Sequence, residues 1–238
     1  MIQKNLKNIF VANKQNYIMN KPRAIILSGY GLNCEDETAF AFETAGAKTD
    51  IVHINELRSS TSQLKKYQIL AIPGGFSFGD DTGSGKAFAH KLKAKLGDQL
   101  NEFLARDTLM AGICNGFQIL TSAGILPGAL THNDSGRYIS KWVEVEAAGN
   151  SPWVADIKKM PVPIAHGEGK YIPDPAQPPV VAFRYVENPN GSTDDIAGIV
   201  GYDGRVLGMM PHPERAQFSW QKGGEGIKIF QNAVRYFK

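Results

Sequence analysis

Residues 109–118 read Leu-Met-Ala-Gly-Ile-Cys-Asn-Gly-Phe-Gln, an apolar run that passes into a helical pattern at a cysteine. The glycines on either side of Cys114 form a G-x-C-x-G pattern, which is typical of a nucleophile on a sharp strand-to-helix turn where larger side chains would clash. The positive end of the helix dipole can stabilise a thiolate there, and the N–H of Asn115 can donate to an oxyanion. A buried structural cysteine beside a helix-packing glycine is the alternative interpretation.

Strands and helices alternate around this turn. The first half combines short apolar runs with helical segments, whereas the second half consists mainly of strand patterns followed by an amphipathic helix. The predicted strands are 24–28, 50–54, 69–73, 109–113, 138–146, 162–166, 180–185, 196–200 and 206–210. The predicted helices are 35–46 with Asn33 as its cap, 86–106, 115–123 and 225–237. The alternation predicts an α/β fold, with a mostly parallel, doubly wound open sheet and added antiparallel strands in the second half.

A second motif, Pro211-His212-Pro213-Glu214, follows the predicted strand at 206–210. The two prolines favour an extended backbone, in which residues i and i+2 project to the same side. His212 and Glu214 can then face one site, where the histidine acts as base for a thiol and the carboxylate orients the histidine. Taken alone, His212 could instead be a turn histidine packed between prolines. The G-x-C-x-G pattern around Cys114 makes this alternative the weaker interpretation.

Two glycine-rich segments add candidate site residues. Pro73-Gly74-Gly75-Phe76-Ser77 follows a predicted strand, and its unshielded N–H groups can supply a second oxyanion donor, although an ordinary tight turn is the alternative. Ala165-His166-Gly167-Glu168-Gly169 also follows a predicted strand and can line a pocket. His53, His90 and His132 have no companion pattern. Since no His, Cys or Asp cluster has ligand spacing, no metal site is predicted.

Composition argues against several classes of function. The 238 residues carry a net charge of +3 without a basic stripe interleaved with aromatic residues, so a nucleic-acid partner is not predicted. The sequence has no apolar run that approaches the ~20 residues of a membrane span, and its first twenty residues do not resemble a signal peptide. With only Cys34 and Cys114, free thiols in a reducing cytoplasm are expected. We expect residues 1–20 to be a polar extension, with Met19 as a candidate start, and 21–238 to form one domain.

Two glycine-rich loops resemble nucleotide motifs without matching them. Residues 80–87 depart from the phosphate loop because Asp80 replaces its first glycine and Ala87 follows Lys86. Residues 29–34 depart from the dinucleotide fingerprint because Cys34 replaces its third glycine. We therefore predict no cofactor in this chain, and any ATP-dependent step belongs to another subunit.

Together these motifs resemble those of class I glutamine amidotransferases. Three segments, at 165–169, 188–192 and 208–215, narrow the resemblance, over about residues 22–237, to the glutaminase component of phosphoribosylformylglycinamidine synthase in purine biosynthesis. The motifs that carry it are Gly-Ile-Cys-Asn-Gly-Phe-Gln at 112–118, Pro-Gly-Gly-Phe-Ser at 73–77, Pro-His-Pro-Glu-Arg at 211–215, Ala-His-Gly-Glu-Gly at 165–169 and Asn-Pro-Asn-Gly-Ser at 188–192.

The resemblance implies the fold of that family, a catalytic triad, two oxyanion donors and three residues that contact substrate glutamine. The implied triad is Cys114, His212 and Glu214. The implied oxyanion donors are Gly75 and Asn115. The residues implied to contact glutamine are Gln118, His166 and Glu168. It also implies a synthetase partner, with or without a further small subunit. That partner would bind ATP, Mg²⁺ and formylglycinamide ribonucleotide and would receive ammonia along a protected path.

Several alternatives stay open. Segments 81–85 and 184–188 are closer to the glutaminase domain of the fused, single-chain enzyme than to the stand-alone subunits, so the type of synthetase partner is undecided. Rival functions are a glutaminase of another synthase and a free-standing cysteine hydrolase on the same fold. A non-enzymatic regulatory module is a further rival, and the intact set of Cys114, His212 and Glu214 argues against it.

Overall fold

A nine-stranded sheet organises the chain, for which a computed structural model describes residues 21–59, 63–78, 83 and 85–238. The extension expected at 1–20 and most of the loop at 79–84 lie outside the described residues. The strands are β1 (Arg23–Ser28), β2 (Lys48–His53), β3 (Ile69–Ile72), β4 (Leu109–Ile113), β5 (Ala129–Thr131), β6 (Ile139–Ala147), β7 (Lys159–His166), β8 (Lys170–Ile172), β9 (Val180–Tyr185), β10 (Ile196–Gly201) and β11 (Val206–Met209). The α-helices are α1 (Glu35–Ala45), α2 (Lys86–Ala105), α3 (Asn115–Ser122) and α4 (Ile227–Arg235).

The large sheet has the strand order β2-β1-β3-β4-β11-β10-β9-β6-β7. Strands β2, β1, β3, β4 and β11 are mutually parallel. From β11 onwards each neighbouring pair is antiparallel. The short strands β5 and β8 form a separate antiparallel pair. The predicted α/β fold, with a mostly parallel sheet and added antiparallel strands, is therefore confirmed.

The centre of the sheet is covered on its faces and is apolar. Every residue of β3 and β4 is buried, as continuous apolar runs in parallel strands require. Helix α1 packs against α4, where the rings of Phe42 and Phe230 meet edge to face with centroids 4.9 Å apart. Helix α3 is buried from Asn115 to Thr121 and packs on β4 and β11. Among the described residues, each helix is too short or too polar to cross a membrane.

Several predicted boundaries shift for physical reasons. The cap of α1 is Cys34 and not Asn33. The backbone N–H groups of Asn33 and Cys34 both donate to the carbonyl of Gly74, at 3.0 and 3.2 Å, and tie this loop to the end of β3. Strand β7 begins at Lys159, three residues before the predicted strand, and contains two prolines that an edge strand tolerates. Strands β5 and β8 were not predicted, since three residues carry too little pattern.

Pairing directions place the ends of several strands at one edge of the sheet. Since β10 is antiparallel to both of its neighbours, β9 runs with β11, and by the same reasoning β7 runs with β9. The carboxyl ends of β3, β4, β7, β9 and β11 therefore share one edge. Open α/β sheets bind their ligands at that edge, and it is where the glycine-rich and histidine motifs begin.

Candidate active site

Cys114 lies at the turn between β4 and α3 in a strained backbone conformation, with φ 52° and ψ −109°. Few residues other than glycine adopt a positive φ, and such strain is common at functional sites. The turn is held by the Cys114 N–H, which donates to the carbonyl of Met209 over 2.8 Å, and by the Cys114 carbonyl, which accepts from the N–H of Phe117 at 3.0 Å. The backbone thus fixes the position of the thiol at the carboxyl edge.

Gly116 makes this turn sterically possible. A Cβ atom added at Gly116 would lie 1.9 Å from the carbonyl oxygen of Ile72 in β3, a backbone atom that cannot move aside. We expect Gly116→Ala to lower the free energy of unfolding by about 3 kcal/mol through overpacking, as measured by urea denaturation. Gly97 in α2 is the matched control, because a Cβ there meets no atom within 4 Å. Gly97→Ala should stabilise the helix by up to about 1 kcal/mol, and equal destabilisation by both variants would contradict the steric argument.

His212 and Glu214 form a buried pair beside this turn. The Nδ1 of His212 lies 2.5 Å from Oε1 of Glu214, and both residues are only 2% exposed. The expectation of an extended segment is wrong beyond His212, because Pro213–Arg215 forms a turn of 3-10 helix. Proline is well suited to the first position of such a turn, which brings the carboxylate back to the imidazole. The backbone N–H of His212 donates to the carbonyl of Pro163 in β7 over 2.9 Å and anchors the segment.

The surroundings of His212 favour its protonated form. Burial by itself lowers the pKa of a histidine, but the charges of Glu214 and Cys114 outweigh burial and raise the pKa of His212 well above its ordinary value. Its second ring nitrogen, Nε2, is buried without a hydrogen-bond partner in the part of the chain that the structure describes. Cys114 and His212 line one cavity of about 150 Å³, together with Gly75. This arrangement can support a thiolate–imidazolium pair.

The two candidate oxyanion donors flank the thiol. Gly75 has φ 155°, and a Cβ there would lie 2.4 Å from the carbonyl oxygen of Gly31. Neither the Gly75 N–H nor the Asn115 N–H donates to a backbone carbonyl among the described residues. The side chain of Asn115 links the two loops, because its Oδ1 accepts from the N–H of Ser77 at 2.9 Å. Both N–H groups therefore remain available to a ligand at the same edge.

Gln118, His166 and Glu168 lie around the same thiol. They line a small cavity together with Cys114 and Gly75. Gln118 Oε1 accepts from the side-chain amide of Asn115 at 2.8 Å, and Gln118 Nε2 donates to the carbonyl of Glu168 over 2.6 Å. Two neighbouring cavities therefore share Cys114 and Gly75, one lined also by Gln118, His166 and Glu168 and the other by His212.

Cys34 also lies at this site, although no motif in the sequence indicates it. Its Sγ atom accepts a hydrogen bond from Nη2 of Arg215 at 3.0 Å, and burial raises the pKa of the Cys34 thiol. Ligand atoms of Cys34, His212 and Glu214 lie within 4.8 Å of one another, so the three could hold a metal ion. However, the Cys34 sulfur already accepts a hydrogen bond from the Arg215 cation. His212 and Glu214 are already hydrogen-bonded to each other. These contacts favour a protein hydrogen-bond network over a metal centre.

Tyr185 is a further residue that the motifs did not indicate. It ends β9 at the same edge, and its hydroxyl is buried without a hydrogen-bond partner among the described residues. Burial and the neighbouring Cys114 both raise the pKa of Tyr185 above its ordinary value. The hydroxyl therefore stays protonated close to the thiol. The likeness of segment 184–188 to the fused enzyme assigns no role to Tyr185, so only the strand order reveals its position.

Comparison with known proteins places the chain in a family. The sequence profile of the CobB/CobQ-like glutamine amidotransferase domain matches residues 21–237. The chain belongs to this family. Among its members is subunit PurQ of phosphoribosylformylglycinamidine synthase from Methanococcus maripaludis (strain C7), which is 41% identical over 91% of this chain and 97% of the relative. The PurQ subunit of Dehalococcoides mccartyi is 40% identical over 92% of this chain and 98% of the relative.

A solved structure of this amidotransferase family has the same fold. A chain in the structure of PurLQS from Thermotoga maritima superposes with a TM-score of 0.83 at 37% identity, covering 92% of this chain and 100% of that chain. The relatives named here are separate subunits of nearly the same length. The likeness of segments 81–85 and 184–188 to the fused enzyme therefore does not extend to the whole chain.

Proposed function

We propose that this chain is the glutaminase subunit of phosphoribosylformylglycinamidine synthase. It hydrolyses glutamine to glutamate and ammonia, and a synthetase partner uses the ammonia with ATP and Mg²⁺ to convert formylglycinamide ribonucleotide to formylglycinamidine ribonucleotide. The observation that carries the proposal is the strained Cys114 turn beside the buried His212–Glu214 pair. Its occurrence in a chain about 40% identical to PurQ subunits supports the choice of synthase.

The geometry supports a covalent mechanism. His212 holds the proton of the Cys114 thiol, and the thiolate sulfur attacks the side-chain carbonyl carbon of glutamine. The N–H groups of Gly75 and Asn115 stabilise the oxyanion that forms on the carbonyl oxygen. As the carbon–nitrogen bond breaks, His212 donates its proton to the departing nitrogen, and ammonia leaves. Water, deprotonated by His212, then attacks the γ-glutamyl thioester and releases glutamate and the thiol.

Gln118, His166 and Glu168 serve substrate binding in this proposal. They line one small cavity with Cys114 and Gly75, next to the proposed nucleophile. The carboxylate of Glu168 lies 3.7 Å from Nδ1 of His132, so the same carboxylate can meet a cationic group. In this proposal that carboxylate pairs with the α-ammonium group of glutamine.

A partner is required because ammonia released into water becomes ammonium, which is not a nucleophile. Two glycine-rich loops fail to match nucleotide motifs, so the ATP-dependent step is assigned to a synthetase subunit, with a further small subunit as an additional component. The Thermotoga maritima structure contains PurLQS. We also infer a cytoplasmic location, which the two free thiols support.

Reconstitution tests this function. With its synthetase partner, ATP and Mg²⁺, the chain should support glutamine-dependent conversion of formylglycinamide ribonucleotide, and the product is measured by chromatography. The partner alone should accept only ammonium salts. Synthesis from glutamine by this chain without a partner would refute the proposal. Hydrolysis of γ-glutamyl peptides in preference to glutamine would favour a free-standing hydrolase, and transfer to a different acceptor would favour another synthase.

A further inference from the structure

The loop after β1, residues 29–34, runs antiparallel to the loop after β3, which carries the candidate oxyanion donor Gly75. Leu32 and Gly75 stand directly opposite each other at the centre of this pairing. Four backbone hydrogen bonds of 2.8–3.2 Å join the two loops: the N–H groups of Phe76 and Phe78 donate to the carbonyls of Gly31 and Tyr30, and those of Asn33 and Cys34 both donate to the carbonyl of Gly74. Residues 29–34 do not match the dinucleotide fingerprint, and the proposed mechanism uses none of them.

The pairing pattern determines where the Gly75 N–H points. Opposite residues of an antiparallel pair either exchange both hydrogen bonds or exchange none, and in the second type their N–H groups point away from each other. Leu32 and Gly75 are of the second type, because the residues on either side of them make the hydrogen bonds. The Leu32 N–H accordingly donates within its own loop, to the carbonyl of Gly29 at 3.2 Å. The Gly75 N–H therefore faces away from the loop after β1, and Gly75 lines both cavities that contain Cys114.

The three residues that follow Gly75 use their N–H groups to hold this loop in place. Those of Phe76 and Phe78 donate to the loop after β1. That of Ser77 donates to the side chain of Asn115, beside the nucleophile, at 2.9 Å. The Gly75 N–H donates to no backbone carbonyl among the described residues. The loop is thus fixed from two sides, and the Gly75 N–H is left for a ligand.

Gly31 allows the two loops to come this close. Its φ of 99° is rare for other residues, and a Cβ atom there would lie 2.6 Å from the carbonyl oxygen of Phe76. The same limit applies from the other side, because a Cβ atom at Gly75 would lie 2.6 Å from Cα of Leu32. Both contacts involve backbone atoms, so a side-chain rotation cannot relieve them. A side chain at position 31 would therefore push the Gly75 loop away from the loop after β1.

We infer that Gly31 is a positioning residue: the loop after β1 directs the Gly75 N–H towards the oxyanion, and this pairing requires that Gly31 has no side chain. The inference rests on the proposed function, in which Gly75 stabilises the oxyanion. That N–H contributes most in the transition state, when charge develops on the carbonyl oxygen, and less to bound glutamine, whose carbonyl is neutral. A displaced Gly75 should therefore lower kcat and leave KM nearly unchanged.

The test is Gly31→Ala in the reconstituted complex. We expect kcat for glutamine hydrolysis to fall by about 10²- to 10³-fold, the usual effect of losing one oxyanion donor, and KM to change by less than about threefold. Synthesis from ammonium salts should continue at the original rate, which shows that the complex is intact. Iodoacetamide alkylates the Cys114 sulfur by displacement of iodide and forms no oxyanion. The rate of that alkylation should therefore stay within about threefold of the original.

Gly46→Ala is the matched control. Gly46 ends α1 with φ 101°, close to the value at Gly31, but a Cβ atom there meets only the end of the Lys238 side chain, at 3.4 Å. This variant introduces the same backbone strain without a clash against the Gly75 loop. Its stability should fall, whereas kcat for glutamine should stay within about threefold.

Leu32→Gly is a second variant, and it adds no atoms. The Leu32 side chain is buried, at 5% exposure, and the residue lies opposite Gly75. Its removal loosens the loop without a new clash, so kcat for glutamine should fall by about tenfold at unchanged KM. If Gly31→Ala did not assemble with the partner, this variant would decide, and an unchanged kcat would overturn the inference.

The other outcomes separate the inference from the function beneath it. Unchanged glutamine kcat in Gly31→Ala would overturn the inference. Equal losses of glutamine hydrolysis and Cys114 alkylation would overturn it as well, because the whole site would then be disturbed. A loss in Gly46→Ala equal to that in Gly31→Ala would assign the effect to backbone strain alone. Failure of the unaltered complex to hydrolyse glutamine would instead contradict the proposed function.

Discussion

Cys114→Ala should abolish glutamine-dependent synthesis by the reconstituted complex, with kcat lower by about 10⁴- to 10⁶-fold, as for other nucleophiles that act within a triad. The reason is that no other described side chain occupies the strained turn between the two oxyanion donors. Synthesis from ammonium salts should continue at the original rate, because that reaction bypasses the thiol. The ratio of glutamine-dependent to ammonium-dependent rates is the measurement, and it is insensitive to the amount of folded complex.

Cys34 provides the control for this result, since it is the other thiol of the chain and is also buried. A glutamine-analogue electrophile should modify the unaltered protein and Cys34→Ala at one site each, and should leave Cys114→Ala unmodified. Mass spectrometry of the intact chain counts the added groups. If glutamine-dependent synthesis survived in Cys114→Ala, or if the label moved to Cys34, the assignment of the nucleophile would be wrong.

The parts of the site that sequence predicts are those governed by neighbours in the chain. The G-x-C-x-G pattern identifies the Cys114 turn because the steric conflict at Gly116 involves a backbone atom of the adjacent strand, which any such turn must approach. The proximity of His212 and Glu214 was also predictable from their spacing. The geometry of this pair was not predictable, because the segment can be either extended or a 3-10 turn. The choice depends on side-chain contacts: Arg215 donates to Cys34, and Gln217 donates to the carbonyl of Glu214.

The parts that sequence does not predict depend on long-range contacts. Cys34 approaches His212 because the loop after β1 pairs with the loop after β3, through the bridge between Leu32 and Gly75. Asn133 reaches His166 across 33 residues. The insertion of β11 between β4 and β10, which delivers His212 to the thiol, follows from sheet order and leaves no trace in local patterns. Periodicity describes each strand and says nothing about its neighbours.

Glu214→Gln should lower kcat for glutamine by about 10³- to 10⁴-fold, as expected when the orienting carboxylate of a triad is lost. The carboxylate accepts a hydrogen bond from Nδ1 of His212 and raises the pKa of that imidazole. An amide can present its N–H to Nδ1 instead, which places the ring proton on Nε2 and removes the base from the thiol. The variant therefore retains the shape of the site and loses its protonation pattern.

The pH profile distinguishes this effect from simple misfolding. Activity requires protonated His212 beside the Cys114 thiolate, and it is lost as pH rises through the pKa of His212. Because Glu214 raises that pKa, its removal lowers it, and the alkaline limb of kcat/KM should move to lower pH. Glu37→Gln is the matched control: this carboxylate lies 3.5 Å from Arg215 but its side chain is 42% exposed, so its removal should leave the profile in place. An alkaline limb that stays fixed in Glu214→Gln would show that His212 is not held in its charged form by the carboxylate.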